Sequence, residues 1–326
     1  MAGRALPTAC LVLSFLLCLT PWANPAAQGL LILRGCESGD WWENHLSAIG
    51  VSQCPEECAS CAWGVGKPNC SIPENQKRVN QALAQNGLVI LNHPTAKGND
   101  CWPGGPIEQG WARNKMRDAK GYHAIEISGA VEEWKYILGL GRRVWGVIAD
   151  DFHNGSPGTK GWIVVNSGNA APGPADIIES IKQGNFYSVH RAEGGGSGYP
   201  AFKTIDVLGN IVSVTFRKAS EIRFIDCTRV LDSKTFPDDA DVERSASYVP
   251  GNAGTPPMPK AYLRVELEDR AGNIAYSQPL QVIGASVCPD TMPAPTCSKN
   301  SCSDLPCCTG YHCCGDRCYP NSMQCP

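Results

Sequence analysis

Between Gly29 and Tyr187 one pattern recurs: a run of four to six apolar residues that ends in a charged or metal-capable residue. Leu30–Leu33 leads to Glu37, Leu88–Leu91 to Asn92 and His93, and Val144–Ala149 to Asp150, Asp151 and His153. Ala124–Ile127 is a fourth run, with Ser128 after it. Such continuous runs predict strands buried on both faces, as in parallel sheets. Helical patterns lie between them. Ser71-Ile-Pro-Glu74 has the form of a capping box with Pro73 near the first helical position, Val79, Ala82 and Leu83 form a stripe, and Gly87 is a stop. Val131–Leu140 is a second helix. Pro174–Gln183 is a third, with Ile177, Ile178 and Ile181 on one face and Gly184 as its end. Alternating strand and helix predicts an α/β fold with right-handed crossovers, whose chemistry sits at the C-terminal ends of the strands.

Beyond Pro200 the period changes to two. Ile211–Phe216, Glu221–Asp226 and Ala261–Asp269 alternate, and the last meets Ile274–Val282 across the turn Arg270-Ala-Gly-Asn273. This predicts a small antiparallel β-sandwich. The flexible stretch Glu193–Gly198 suggests a boundary ahead of it.

Composition adds the compartment. The chain has 326 residues, and 28 Lys+Arg against 31 Asp+Glu leave a formal charge of −3, which argues against a nucleic-acid-coating role. At the N-terminus one cation, Arg4, precedes the 11-residue apolar run Ala9–Leu19, and small residues follow at Ala23, Ala26 and Ala27. That layout predicts a signal peptide over residues 1–27 and a secreted product; the run is too short to span a bilayer. Of 18 cysteines, removing Cys10 and Cys18 leaves 16, and an even number in a secreted chain predicts disulfides. Six lie from Cys36 to Cys101, Cys227 stands apart, and nine crowd the span from Cys288 to Cys325. The tail set is odd, so one of its members must reach elsewhere, and Cys227 is the expected acceptor. Cys54-x3-Cys58-x2-Cys61 could imitate a zinc knuckle, but an oxidising compartment favours disulfides. Asn69-Cys-Ser71 and Asn154-Gly-Ser156 are glycosylation sequons.

There is no Gly-x-Ser-x-Gly motif and no phosphate-binding Walker loop. The chemistry-bearing residues are instead Glu37 and His45 near the first strand, His93 after the second, and Asp151-x-His153, whose spacing puts both side chains on one side of an extended backbone. Imidazole with carboxylate suits Zn, Mn or Fe better than Mg. His123, His190 and His312 read as structural or surface residues, with His190 close enough to Phe186-Tyr187-Ser188 to border a site.

Several of these segments together resemble one family. Arg143–His153 (RVWGVIADDFH), Gly161–Val165 and Ile177–Tyr187 (IIESIKQGNFY) are similar to the closing third of the polymerase and histidinol phosphatase (PHP) family. Gly87–Pro94 (GLVILNHP) resembles its central His-Pro strand, and Gly35-Cys-Glu37 with His45–Val51 its Gly-x-Glu and following His motifs. Tyr262–Asp269 and Ala275–Pro279 resemble a sandwich that trails some members. The likeness covers about residues 30–284. It implies a distorted (βα)7 barrel and metal-dependent hydrolysis of phosphate esters by a metal-bound hydroxide. Glu37 would bridge two metals, His45 and His93 would complete one of these sites, Asp151 would serve the other, and His153 a third. The family's opening His-x-His strand and Asp-His pair have no counterpart ahead of Gly35.

The expected organisation is therefore a signal peptide (1–27), an incomplete PHP-like α/β barrel (28–192, with a Cys-rich insertion at 54–101), a β-sandwich (200–286) and a disulfide-rich module (288–326) of knottin or granulin type. The expected activity is that of a secreted phosphoesterase acting on a phosphorylated small molecule with a divalent metal. The alternative is a catalytically degenerate secreted protein that binds a partner, such as a carbohydrate or surface ligand, through its sandwich and tail.

Overall fold

The computed structural model describes residues 33–40, 43–56, 72–94, 111, 113–150, 160–193, 198–227, 229–237, 240–250, 259, 261–282, 311–314 and 317–320. The segment expected to be a signal peptide, Asp151, His153, both sequons and most of the tail cysteines lie outside the described residues. Residues 1–287 form one compact unit and 288–326 a second.

The first unit is a mixed α/β structure. It opens with strands β1 (Gly35–Asp40) and β2 (Glu43–Ile49), helix α1 (Ile72–Ala84), β3 (Leu88–Leu91), α2 (Arg113–Asp118), β4 (Ala124–Glu126), α3 (Val131–Gly139) and β5 (Trp145–Val147). Then follow β6 (Gly161–Val165), α4 (Pro174–Gln183), β7 (Phe186–His190), β8 (Ala201–Leu208), β9 (Ile211–Arg217), β10 (Glu221–Asp226) and β11 (Arg229–Thr235). β12 (Arg244–Tyr248), β13 (Tyr262–Glu268), β14 (Ile274–Ser277) and β15 (Gln281–Val282) complete it. The second unit is represented by the hairpin β16 (Tyr311–Cys314) and β17 (Arg317–Pro320), in which Cys313 lies opposite Cys318. No helix among the described residues is long and apolar enough to cross a membrane.

Strands β1 to β5 form a sheet in sequence order. It is parallel from β3 to β5 and antiparallel from β1 to β3, so Glu37 sits within a strand of a hairpin-like pair rather than beyond the end of one. β6 and β7 do not extend this sheet. They pair antiparallel with each other, and β7 pairs with β14, giving a second sheet in the order β11-β10-β13-β14-β7-β6, with β15 on β13. The described strands therefore form an open mixed sheet beside a larger antiparallel one, and β6 and β7, expected to continue an incomplete α/β barrel, pair into the antiparallel sheet. An apolar run satisfies any strand buried on both faces, and its partners decide the direction.

The seven-stranded sheet is covered on both faces. On one side Val189, Ile222, Phe224, Val265 and Leu267 meet Val212, Val214 and Phe216 of the three-stranded sheet β12-β9-β8 in a sandwich core. On the other side the fully buried Arg264 lies over Trp134 of α3, 5.2 Å from ring centroid to guanidinium. A second core joins Ile90, Trp145 and Val147 to Ile163, Phe186 and the α4 residues Ile177 and Ile181. α4 occupies the span its sequence predicts: Pro174 starts it, Asp176 Oδ2 accepts from the Gly173 N–H at 2.8 Å, and Gly184 closes it with φ +78°. At the end of α1 the left-handed residue is Asn86 (φ +57°). Gly87 is required for a different reason, since a Cβ there would stand 2.5 Å from Val51 and 2.9 Å from the Ala82 carbonyl.

The exposed-edge problem of an open sheet is met at β5 by a side chain. Gln278 accepts from the Gly146 N–H at 2.9 Å and donates to the Gly146 carbonyl at 3.0 Å, as a neighbouring strand would. Ser188 Oγ donates to the same carbonyl at 2.7 Å.

Two described cysteines pair with each other, Cys36 with Cys54, 18 residues apart in sequence. Cys227 is also disulfide-bonded, to a partner outside the described side chains. Loop closure of that length by Cys36–Cys54 stabilises by about 3 kcal/mol. The double variant Cys36→Ser/Cys54→Ser should lose about that much in denaturant titration, and a loss below about 1 kcal/mol would contradict this estimate.

His123 shows how a histidine serves the sheet. Its backbone N–H donates to the Val89 carbonyl at 2.9 Å, and its Nδ1 accepts from the Val89 N–H at 3.1 Å. Acceptance requires neutral imidazole, and burial pushes its pKa down, with Lys182 adding to the shift. On acidification the unfolded chain takes up a proton near pH 6.5 while the folded ring resists. Stability should therefore fall as pH drops below about 6.5, until the folded ring also titrates. Urea midpoints between pH 7 and 5 should show a shallower pH slope in His123→Asn, whose amide oxygen can accept without titrating. Identical slopes would exclude this role.

Candidate metal centre

Register places the candidate residues at one end of the first sheet. Leu46 lies opposite Leu91, so His45 at the start of β2 stands beside Asn92 and His93 at the end of β3. Glu37 of β1 lies opposite Ser47 of β2. β4 ends at the same level in Glu126, because β3 and β4 run parallel with Leu91 opposite Ile125.

One oxygen is the hub. Glu37 Oε1 accepts from Asn92 Nδ2 at 2.6 Å, lies 3.3 Å from His45 Nδ1 and 3.6 Å from His93 Nε2. The two rings meet edge to face with centroids 5.6 Å apart. One donor atom from each of Glu37, His45 and His93 falls within a 4.8 Å group, a separation that suits ligands around a single cation. Burial raises the Glu37 carboxyl pKa, but the polar side chains of His45, His93 and Asn92 gathered around it outweigh that and hold the group well below the usual carboxylate range. The site thus presents an ionised oxygen ligand with two imidazoles, a donor set that fits Zn, Mn or Fe.

The surrounding residues hold these ligands in place. Asn92 Nδ2 also donates to Ser47 Oγ at 2.8 Å, so one amide ties β1 to β2. The His45 carbonyl accepts from the Asn92 N–H at 2.9 Å and from Nε1 of the fully buried Trp111 at 2.8 Å. Next to Glu37, the buried Arg78 of α1 donates to both Ser38 Oγ and the Ser38 carbonyl. His93 has φ +47°, a left-handed backbone uncommon outside glycine and asparagine. Glu126 Oε2 accepts from its N–H at 3.1 Å and lies 2.7 Å from its Nδ1.

Glu37, His45 and His93 are thus brought together. Asp151 and His153 lie outside the described residues; the chain enters that segment at Asp150, whose Oδ1 accepts from the Lys160 N–H at 2.8 Å and ties its two ends. His190 pairs within the second sheet, opposite Gly161 and Ile274, and burial pushes its pKa down. His312 lies on β16 in the second unit. Glu126 and Asn92 are the participants that the sequence pattern did not single out as chemistry-bearing. The signal for Glu126 was a lone carboxylate inside the apolar run Ala124–Ile127.

No protein-family model matches the chain, and no curated protein matches it. A solved structure from Bacteroides vulgatus, a two-domain protein containing a predicted PHP-like metal-dependent phosphoesterase, matches at 12% identity with a TM-score of 0.33, over 77% of this chain and 76% of that one. A likeness that low carries no argument about chemistry, which rests on the residues of the site.

Proposed function

We propose that the chain is a secreted metal-dependent phosphoesterase of PHP type, acting on phosphate esters, with one divalent ion held by Glu37, His45 and His93. The observation that carries the reading is the convergence of these three donors on one end of a sheet, with the carboxylate ionised and its lone pairs turned to the imidazoles. An ion in this place supplies Lewis acidity toward a phosphoryl oxygen. The protein's own part is positioning: Asn92 fixes the Glu37 oxygen, Trp111 and the Asn92 N–H fix the His45 backbone, and Arg78 holds β1 beside Glu37. Asp151 and His153 belong to this proposal as ligands of neighbouring ions. With fewer donors each, those ions would be held more weakly than the first.

The test is elemental analysis of the purified oxidised chain, followed by hydrolysis of a panel of phosphomonoesters and phosphodiesters with added Zn or Mn. About one tightly held ion per chain is expected, with slow hydrolysis that a chelator removes. An ion-free protein overturns the metal site. A loaded protein that hydrolyses nothing in the panel overturns the phosphoesterase reading and favours a secreted binding module.

A further inference from the structure

We propose that Glu126 is the positioning residue of this centre: its carboxylate fixes His93 in the tautomer and backbone conformation that turn Nε2 toward Glu37. The inference rests on the metal reading above and concerns a residue outside the ligand set.

Three observations lead to it. The Glu126 side chain is 4% exposed, at the end of a strand whose other residues are apolar and buried. Burying a carboxylate costs several kcal/mol unless it is well paired, so a position serving packing alone favours an apolar residue. Among the described residues, both polar contacts of this side chain are with His93, and both use one oxygen, Oε2.

The two contacts do different things. An imidazole offers two nitrogens, and whichever carries the proton leaves the other as the lone-pair donor. Donation from Nδ1–H to Glu126 makes Nε2 the donor, and Nε2 is the nitrogen that faces Glu37 Oε1. The negative charge behind the ring also raises its basicity as a ligand, as carboxylates behind metal-bound histidines do. The second contact, from the backbone N–H, offsets the cost of the left-handed φ of +47°, which sets the direction in which the ring leaves the chain.

The test compares wild type, Glu126→Gln and Glu126→Leu as full-length oxidised chains. Glutamine keeps the shape and one carbonyl acceptor but removes the charge; leucine removes both contacts. The readouts are Zn2+ affinity by competition with a chromophoric chelator, the visible absorption of the Co2+-loaded protein, and the thermal midpoint without metal. Glu126→Gln should bind Zn2+ about 10-fold more weakly, with its metal-free midpoint within about 2 °C of wild type. Glu126→Leu should bind about 100-fold more weakly, with a changed Co2+ spectrum. Should the leucine variant fail to fold, the glutamine variant still decides. Wild-type affinity and spectrum in Glu126→Gln would overturn the inference, and so would a loss of affinity that merely follows a fallen midpoint. If wild type itself binds neither ion, the metal reading fails first and takes this inference with it, an outcome distinct from variants that bind as well as wild type.

Discussion

His93→Ala should yield a folded protein that no longer retains a divalent ion through dialysis. His93 supplies one of the three donors gathered around Glu37 Oε1. Structural Zn sites with four ligands hold their ion with roughly 10–16 kcal/mol, so one ligand accounts for about 2.5–4 kcal/mol, a loss on the order of 100-fold or more. Alanine adds a complication, because it must adopt the left-handed backbone of His93 at a cost of about 1–2 kcal/mol. His93→Asn separates the two effects. Asparagine tolerates that backbone, and its amide can still donate to Glu126, yet it offers no imidazole. Elemental analysis of both variants beside wild type should show the ion lost from each, with the metal-free midpoint of the asparagine variant nearer wild type. Unchanged metal content in either would remove His93 from the centre.

Glu266→Gln should destabilise the first unit by about 3–5 kcal/mol, because it strands a buried charge. Arg264 is fully buried, and among the described residues its Nε and Nη2 have no hydrogen-bond partner. Its Nη1 lies 2.5 Å from Glu266 Oε1, and the rings of Trp134 and Tyr276 flank the guanidinium. Burial raises the Glu266 carboxyl pKa, but the charges of Arg264 and Arg223 outweigh it and hold the group ionised below its ordinary value. Arg223 would survive the change, since it also pairs with Glu221 and Glu268. Arg264 would not, and adding Arg264→Met to the variant should recover part of the loss by removing the orphaned cation. Urea denaturation of the three proteins measures this. A single variant within about 1 kcal/mol of wild type would show that the rings alone suffice.

What the sequence made legible was local. α4 is bounded by residues that act on their own backbone, Pro174 and Gly184, and its stripe needs only one face to be apolar. β10 and the β13–β14 hairpin likewise follow from alternation and a turn, where Asp269 Oδ1 accepts from the Ala271 and Asn273 N–H groups at 2.9 Å. Glu37, His45 and His93 stood out because polar, metal-capable residues next to apolar runs are few. Pairing was not legible. Val164 and Val165 look the same to any neighbour, and nothing near them says that β6 and β7 join β14 rather than β5. α2 escaped notice because its six residues contain one apolar side chain, Met116. Gln278 and Glu126 each act on a group more than 30 residues away, Gly146 and His93, and such contacts leave no period in the chain.

The crossing of β7 onto β14 also bears on how such a protein can be assembled by recombination. The glycine-rich stretch at 193–198 looks like a natural joint, but β7 ahead of it and β14 well beyond it pair in one sheet. A crossover there would deliver an incoming segment whose β14 has lost its neighbour, and leave behind a β7 with bare amides on an apolar strand. Both halves would carry an open, sticky edge. A break at 193–198 therefore separates paired strands, and the segments carrying β7 and β14 are best inherited together.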